Sequence, residues 1–257
     1  MNVLLVDGLN LIRRVHAALD RDETGLDKTR LLDACESSIR KLLSRQKPSH
    51  AMGVVDSDLS SWRHQEFPEY KANRKPMPDS LARALPAIIE RFGQVGVQTF
   101  QEDGFEADDV IAAIATRIVD SGGRVTIAST DTSFCQLLSE RLKVYDHFSE
   151  RYLDLRYVRK KLDVTPEQLP TLFALTGNPS VNVPGVRSIG VRTAAKLIHD
   201  FGDLDTILDA AEEMKGHIGT KLRSGREDAR RAYRLLSLKR DIEVGLNLKD
   251  FRLSQAG

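Results

Sequence analysis

The stretch Gly104-Phe-Glu-Ala-Asp-Asp-Val-Ile-Ala-Ala-Ile-Ala-Thr-Arg-Ile-Val-Asp-Ser-Gly-Gly-Arg-Val-Thr-Ile-Ala-Ser-Thr-Asp131 decides the fold. Val110, Ile111, Ile114 and Ile118 fall on one helical stripe, Gly122-Gly123 stops the helix, and Arg124 to Ala128 is an apolar run of strand length. A helix leading directly into a buried strand is half of a βαβ unit. Acids mark both ends of it: Glu106, Asp108 and Asp109 open the helix, and Asp131 follows the strand. A single acid at a helix start is accounted for by capping and the helix dipole. Three acids within four residues are a different matter, because two unit charges about 4 Å apart repel by about 4 kcal/mol at an effective dielectric of about 20. Such crowding on a fixed scaffold calls for a cation.

The same alternation extends toward the N-terminus. Val3 to Val6 reads as a buried strand ending at Asp7, and a helix follows through Leu11, Ile12 and Val15. A second helix spans about Lys28 to Arg45, Ala51 to Val55 is a strand ending at Asp56, and Asp79 to Phe92 is helical after the Pro76-Met-Pro78 break. Gly96 to Phe100 reads as a further strand. This order predicts an α/β fold, with a mostly parallel central sheet flanked by helices. Beyond about Leu155 the strands largely stop. Segments 156–162, 166–175, 193–201, 204–214 and 227–238 all carry helical patterns. The expected organisation is an α/β core over 1–160 and a helical region over 161–257. No Pro- or Gly-rich linker separates them, so they should pack together.

Composition narrows the class. The 257-residue chain has a net charge of +1 and no apolar run long enough to span a membrane. Its first residues lack the basic region of a signal peptide. Cys35 and Cys135 are isolated in helical patterns, as expected of thiols in a reducing cytoplasm. No Walker-type loop, no G-x-S-x-G elbow and no His/Cys cluster with zinc spacing is present. The expected protein is a cytoplasmic monomer with no membrane segment and no nucleotide cofactor.

Functional groups of open parallel sheets collect beyond the carboxyl ends of the strands. A lone Asp there is commonly a turn former, but here three strands deliver Asp7, Asp56 and Asp131 to one edge. With Glu106, Asp108 and Asp109 they form an all-oxygen set suited to Mg²⁺, with Mn²⁺ as substitute, rather than zinc. Carboxylate-held Mg²⁺ is typical of phosphodiester hydrolysis. Two basic elements could bring the phosphate. Trp62-Arg63-His-Gln-Glu-Phe-Pro-Glu-Tyr70-Lys71-Ala-Asn-Arg74-Lys75-Pro-Met-Pro78 mixes cations with aromatic rings and should project from the sheet as a basic arch over 60–78, a pattern suited to a single strand. Its plain alternative is a solvated loop with rings tucked against the core. The second is Gly177-Asn-Pro-Ser-Val-Asn182-Val-Pro184-Gly185-Val-Arg-Ser-Ile189-Gly190-Val-Arg192-Thr193, a helix-hairpin-helix pattern within about 175–200 whose new helix, opened by Thr193, offers N–H groups to a phosphate.

Together these residues resemble the 5′-nuclease family, which includes flap endonucleases and the 5′-nuclease domain of bacterial DNA polymerase I. The matching pieces are Leu5-Val-Asp7-Gly-Leu-Asn10, Val55-Asp56, Tyr70-Lys71-Ala-Asn-Arg74, Glu106-Ala-Asp108-Asp109, Ser129-Thr-Asp131 and Val183-Pro184-Gly185-Val-Arg-Ser-Ile189-Gly190. Trp62 to Gln65 and Cys135 to Leu138 fit its small stand-alone exonuclease IX (Xni-like) group. The resemblance implies a PIN-like core and Mg²⁺-dependent cleavage of DNA with 5′ flaps. Asp108 would be the main direct Mg²⁺ ligand, and Asp7, Asp56, Glu106, Asp109 and Asp131 would hold the ion directly or through water. Lys71 and Arg74 would face the scissile phosphate, with Tyr70 near the displaced nucleotide and Lys75 on the DNA. Ser188, Ile189, Gly190, Val191, Arg192 and Thr193 would meet the duplex beside a K⁺ ion held by the carbonyls of Leu175, Thr176, Pro184, Val186 and Ile189. The family's second metal site normally has carboxylates where this chain has Ser133, Asn178 and Val181. The resemblance therefore implies a depleted second site, and the alternative is a protein that binds flaps with little or no cleavage.

Overall fold

The computed structural model describes residues 1–19, 27–57 and 59–253. Six strands form one sheet: β1 (Asn2–Asp7), β2 (His50–Val54), β3 (Gln98–Phe100), β4 (Arg124–Ala128), β5 (Leu142–Asp146) and β6 (Arg151–Leu153). Their spatial order is β3-β2-β1-β4-β5-β6, parallel throughout except for the edge strand β6. Helices α1 (Gly8–Leu19), α2 (Lys28–Gln46), α4 (Asp79–Gln94) and α5 (Ala107–Asp120) supply the crossovers, and α3 (Trp62–Glu66) is one short turn. Among the described residues, no helix is long and apolar enough to cross a membrane.

Residues alternate between the faces of a strand, and β1 sits at the centre. Val3 and Leu5 enter one apolar cluster, Leu4 and Val6 the other. Both faces are covered, which is why β1 reads as a continuous apolar run rather than an alternating one. The first cluster runs from Met52 and Ile127 through Ile111 and Ile114 of α5 to Leu172, Ile198 and Leu222. These last residues lie on α7 (Leu169–Thr176), α8 (Val191–Phe201) and α10 (Gly216–Ser224). The α/β part and the helical part, which also holds α6 (Leu155–Leu162), α9 (Leu204–Ala210) and α11 (Arg226–Leu236), therefore share one core. No linker is needed.

Several boundaries differ from the sequence reading. β5, β6 and α10 were not apparent: β6 has three residues, β5 carries charges at Lys143 and Asp146, and α10 opens with glycine at Gly216. Helix α8 opens at Val191, not Thr193, with Gly190 as its N-cap and no side-chain cap. Helix α9 ends at Ala210 rather than continuing to Met214. The helical part also contains a two-residue ribbon, β7 (Gly177–Asn178) against β8 (Val183–Pro184), which closes the hairpin.

The largest difference concerns the segment expected to project as an arch. It is folded down onto the helical part. Lys71 N donates to Val181 O at 2.8 Å and Asn182 Nδ2 to Glu69 O at 2.8 Å. Asn73 Nδ2 donates to Pro179 O at 2.7 Å and Arg74 Nε to Ser180 O at 3.2 Å. Hydrophilic composition suggested projection, but the segment's aromatic residues pack inward: Tyr70 is buried in a cluster with Val181, Val183 and Leu235, with Trp62 and Phe67 against it.

Candidate active site

The pairing of β1 with β2 and β4 matches Asp7 with Val54 and Val6 with Ala128. That register brings Asp7, Asp56 and Asp131 out at one edge. A cleft of about 440 Å³ opens there, with Asp7, Asp56, Asp108 and Asp131 in its wall and Arg13, Arg14, Lys71, Arg74 and Lys75 as its cations. Three of the four acids accept hydrogen bonds from the protein. Asp7 accepts from Asn10 N at 3.2 Å and from Ser129 Oγ at 2.7 Å. Asp131 accepts from Ser133 N at 2.7 Å. Asp56 accepts from Ala107 N at 2.7 Å and so satisfies a free N–H at the start of α5. Glu106 sits at the N-cap position but makes no side-chain cap bond. The capping expected of the acids at this helix is supplied from the neighbouring strand.

Glu106 and Asp109, expected to hold the ion directly or through water, do not line the cleft, and their carboxylates are engaged by other side chains. Asp109 is fully buried and saturated. Arg63 grips it with both terminal nitrogens, at 2.6 and 2.8 Å, and it also accepts from Trp62 Nε1 at 2.8 Å and from Lys239 N at 3.0 Å. Glu106 accepts from Tyr70 Oη at 2.9 Å, Lys71 Nζ at 2.5 Å and Arg63 at 3.2 Å. Asp109 follows Asp108 directly, yet successive helix residues project about 100° apart, so one enters the cleft and the other the core. Burial opposes the Glu106 charge, but Lys71 and Arg63 hold its carboxyl below the usual range.

Tyr70 also departs from its expected role. Its ring is buried and its hydroxyl is committed to Glu106, so it presents no face to a displaced nucleotide. Trp62 is likewise occupied, with the Lys239 ammonium 4.1 Å from its ring centre. Lys71 does reach the cleft, anchored on Glu106, and Arg74 and Lys75 are exposed at its rim. Arg13 and Arg14 were not recognised in the sequence. Their signal was present: they lie on the exposed face of the helix that starts beside Asp7.

The four acids of the cleft make no ion pair within 4 Å among the described residues, unlike Glu106 and Asp109. The Asp7 carboxyl is pushed up to about 7, first by burial and then by Asp131 and Asp56, against the hydrogen bonds from Ser129 and Asn10. Asp108 is pushed well above the carboxylate range by burial, Asp131 and Asp7. This uncompensated, all-oxygen set fits a hard dication. Among the described residues, no three acidic, His or Cys side chains form a preassembled cage.

The raised values have a consequence for stability without metal. Where the folded state binds protons more tightly than the unfolded, stability falls as pH rises. Asp7 contributes this between its ordinary 3.8 and about 7, and Asp108 acts in the same direction. In EDTA, Asp108→Asn is expected to melt higher than the parent near pH 8 and to lose that advantage near pH 4, each kcal/mol being worth about 2–4 °C. Thermal melts at the two pH values check it; an equal difference at both would contradict the account.

The hairpin between α7 and α8 is tightly closed. A Cβ on Gly185 would lie 2.2 Å from Gly177 N and 2.5 Å from Thr176 C, both backbone atoms. Gly177 itself has φ +70°, a region that favours glycine. Gly190, by contrast, has open space around it, and Arg187, Arg192 and Lys196 are exposed nearby. Of the positions where the second metal site would need acids, Asn178 has its oxygen committed to Ser180 N and Oγ, and Val181 is buried. The Ser133 hydroxyl has no hydrogen-bond partner.

A family model described as 5′-3′ exonuclease, N-terminal resolvase-like domain, matches residues 2–163, and one described as 5′-3′ exonuclease, C-terminal SAM fold, matches residues 164–257. The chain is 39% identical over 258 residues to the flap endonuclease Xni of Photorhabdus laumondii, across 100% of this chain and 99% of that protein. Two solved structures show the same fold over 93% of this chain and 90% of theirs. One is T5 5′-exonuclease with bound zinc, at a TM-score of 0.82 and 24% identity. The other is a T5 protein co-crystallised with metal ions, at 0.78 and 25%.

Proposed function

The chain belongs to the 5′-3′ exonuclease family, and from that premise we propose that it is a Mg²⁺-dependent flap endonuclease, hydrolysing phosphodiesters in branched DNA that carries a 5′ single strand. The observation that carries the reading is one cleft whose floor is acidic and whose rim is basic. Asp108, with Asp7, Asp56 and Asp131, would hold the ion, some of them through water. When bound, Mg²⁺ supplies a more acidic water and neutralises phosphate charge.

The chain's own groups do the rest. Lys71, fixed by Glu106, meets the phosphate within the same cleft as the acids. Arg74, Lys75, Arg13 and Arg14 draw the backbone in through their positive charge. Gly190 leaves room for a duplex phosphate at the start of α8, where free N–H groups of Val191, Arg192 and Thr193 face it beside the exposed Ser188, while Ile189 is buried and supports the turn. The absence of acids at Ser133, Asn178 and Val181 favours a second metal site without direct carboxylates. A single copy acting in the bacterial cytoplasm completes the proposal, with no nucleotide cofactor.

A 5′-labelled flap duplex tests the activity: cleavage is expected with Mg²⁺ and none with EDTA. Tight binding of the flap without cleavage, in either Mg²⁺ or Mn²⁺, would instead establish the binding-protein reading.

We further propose K⁺ at the hairpin, on the carbonyls of Leu175, Thr176, Pro184, Val186 and Ile189. Two of them are already in use, since Val186 N donates to Leu175 O at 2.9 Å and Ile189 N to Val186 O at 3.0 Å. A carbonyl oxygen has a second lone pair, so these bonds are compatible with an ion. Exchanging K⁺ for a large organic cation at constant ionic strength is expected to weaken duplex binding several-fold; unchanged affinity rules the site out.

A further inference from the structure

A second cleft, of about 810 Å³, opens at the other edge of the sheet, where β1 and β4 begin. Its wall includes Arg124 of β4, Lys143 of β5, Tyr152 of β6 and Arg45 at the end of α2. Parallel strands of five or six residues at about 3.3 Å per residue separate this edge from Asp7 and Asp131 by roughly 20 Å. The two clefts share no residue.

The charge in this wall is unbalanced. Arg45 is paired with Glu150 at 2.9 Å. Arg124, Arg141 and Lys143 have no carboxylate within 4 Å among the described residues, and Glu140 is the wall's carboxylate. Three unpaired cations against one acid leave a surplus of two positive charges in a concave site. Such focusing concentrates anions, and arginine suits the oxygens of a phosphate.

Beside the cations stands a flat ring. Tyr152 is 42% exposed although it lies on the sheet. Its hydroxyl donates to Gln46 Oε1 at 3.0 Å, which fixes the ring, and Lys143 Nζ lies 5.6 Å from the ring centre. The Gln46 amide nitrogen, also in this wall, has no hydrogen-bond partner. A fixed, part-open ring next to a cation is suited to stacking on a base. The volume falls within the range of sites for small ligands.

We propose that this cleft binds a nucleoside 5′-phosphate, the phosphate on Arg124, Arg141 and Lys143 and the base against Tyr152. The site is separate from the acidic cleft, so the proposal does not depend on the nuclease reading.

The test is a titration of the full chain in EDTA, followed by NMR or calorimetry. The probes are deoxyadenosine 5′-monophosphate, deoxyadenosine and inorganic phosphate. The monophosphate is expected to bind with a Kd of about 1 mM or below, more tightly than either part. Arg124→Ala combined with Lys143→Ala should weaken it at least tenfold, and Tyr152→Ala should weaken it while leaving inorganic phosphate unaffected. Flap cleavage by these variants should match the parent. The proposal is overturned if the monophosphate does not bind, if inorganic phosphate binds as tightly, or if Asp108→Asn changes the binding while the Arg124/Lys143 pair of substitutions does not.

Discussion

Replacement of Asp108 by Ala is expected to lower Mg²⁺-dependent flap cleavage by about 10³-fold or more, or about 4 kcal/mol of barrier, with flap binding largely kept. Asp108 is the acid of the crowded run that enters the cleft, and its proton affinity is raised by burial, Asp131 and Asp7. Those same carboxylates are what a dication would relieve, so removing Asp108 takes away both a ligand and part of the field that holds the ion. Asp109→Ala makes the informative contrast. Asp109 is saturated by Arg63, Trp62 and Lys239, so its loss should lower folding stability first, and activity only through that. Single-turnover cleavage together with a melting curve separates the two. Undiminished cleavage by Asp108→Ala would remove this residue from the site.

Arg63→Ala is expected to destabilise the fold by about 3–5 kcal/mol, because it leaves buried carboxylates without their partner. Only 3% of the Arg63 side chain is exposed, against 7% for Glu106 and 0% for Asp109. Burial works against the guanidinium charge, yet Asp109 raises its affinity for the proton overall. The same side chain ties α3 to the end of α11, donating to Leu235 O at 2.7 Å. The melting temperature should fall by about 10 °C or more. A fall within about 2 °C of the parent would show that the network contributes little. Removing both charges, by Arg63→Met with Asp109→Leu, should recover much of the loss, since an apolar pair of similar volume is often no less stable than a buried ion pair. Cleavage should recover less than stability, because Glu106, which orients Lys71, would still lack its Arg63 bond.

The fold was largely legible. Apolar runs ending at Asp7 and Asp56, and the helix-strand unit before Asp131, fixed a parallel sheet and placed three acids at one edge. Periodicity carries this information because a strand buried on both faces needs an unbroken apolar run. The edge elements were harder: β6 is three residues long, too short for a pattern.

The site was legible as a composition and not as an arrangement. Six acids could be named from sequence, and all six lie close to the carboxyl edge of the sheet. Which of them face solvent depended on a partner far away in the chain. Arg63 and Asp109 are separated by 46 positions, and Arg63 and Leu235 by 172; no local pattern announces such pairs.

By itself, then, the sequence determined the α/β class, the sheet edge at which the acids gather, the hairpin and the all-oxygen character of the acidic set, because each depends on neighbours a few residues apart. Only the tertiary structure decided that Asp7, Asp56, Asp108 and Asp131 share the cleft while Glu106 and Asp109 neutralise a buried arginine. It also decided that the segment around Tyr70 lies folded on the helical part. The physical reason is the same in each case: a charge or ring goes where its desolvation is compensated, and the compensating group is set by packing across the whole chain.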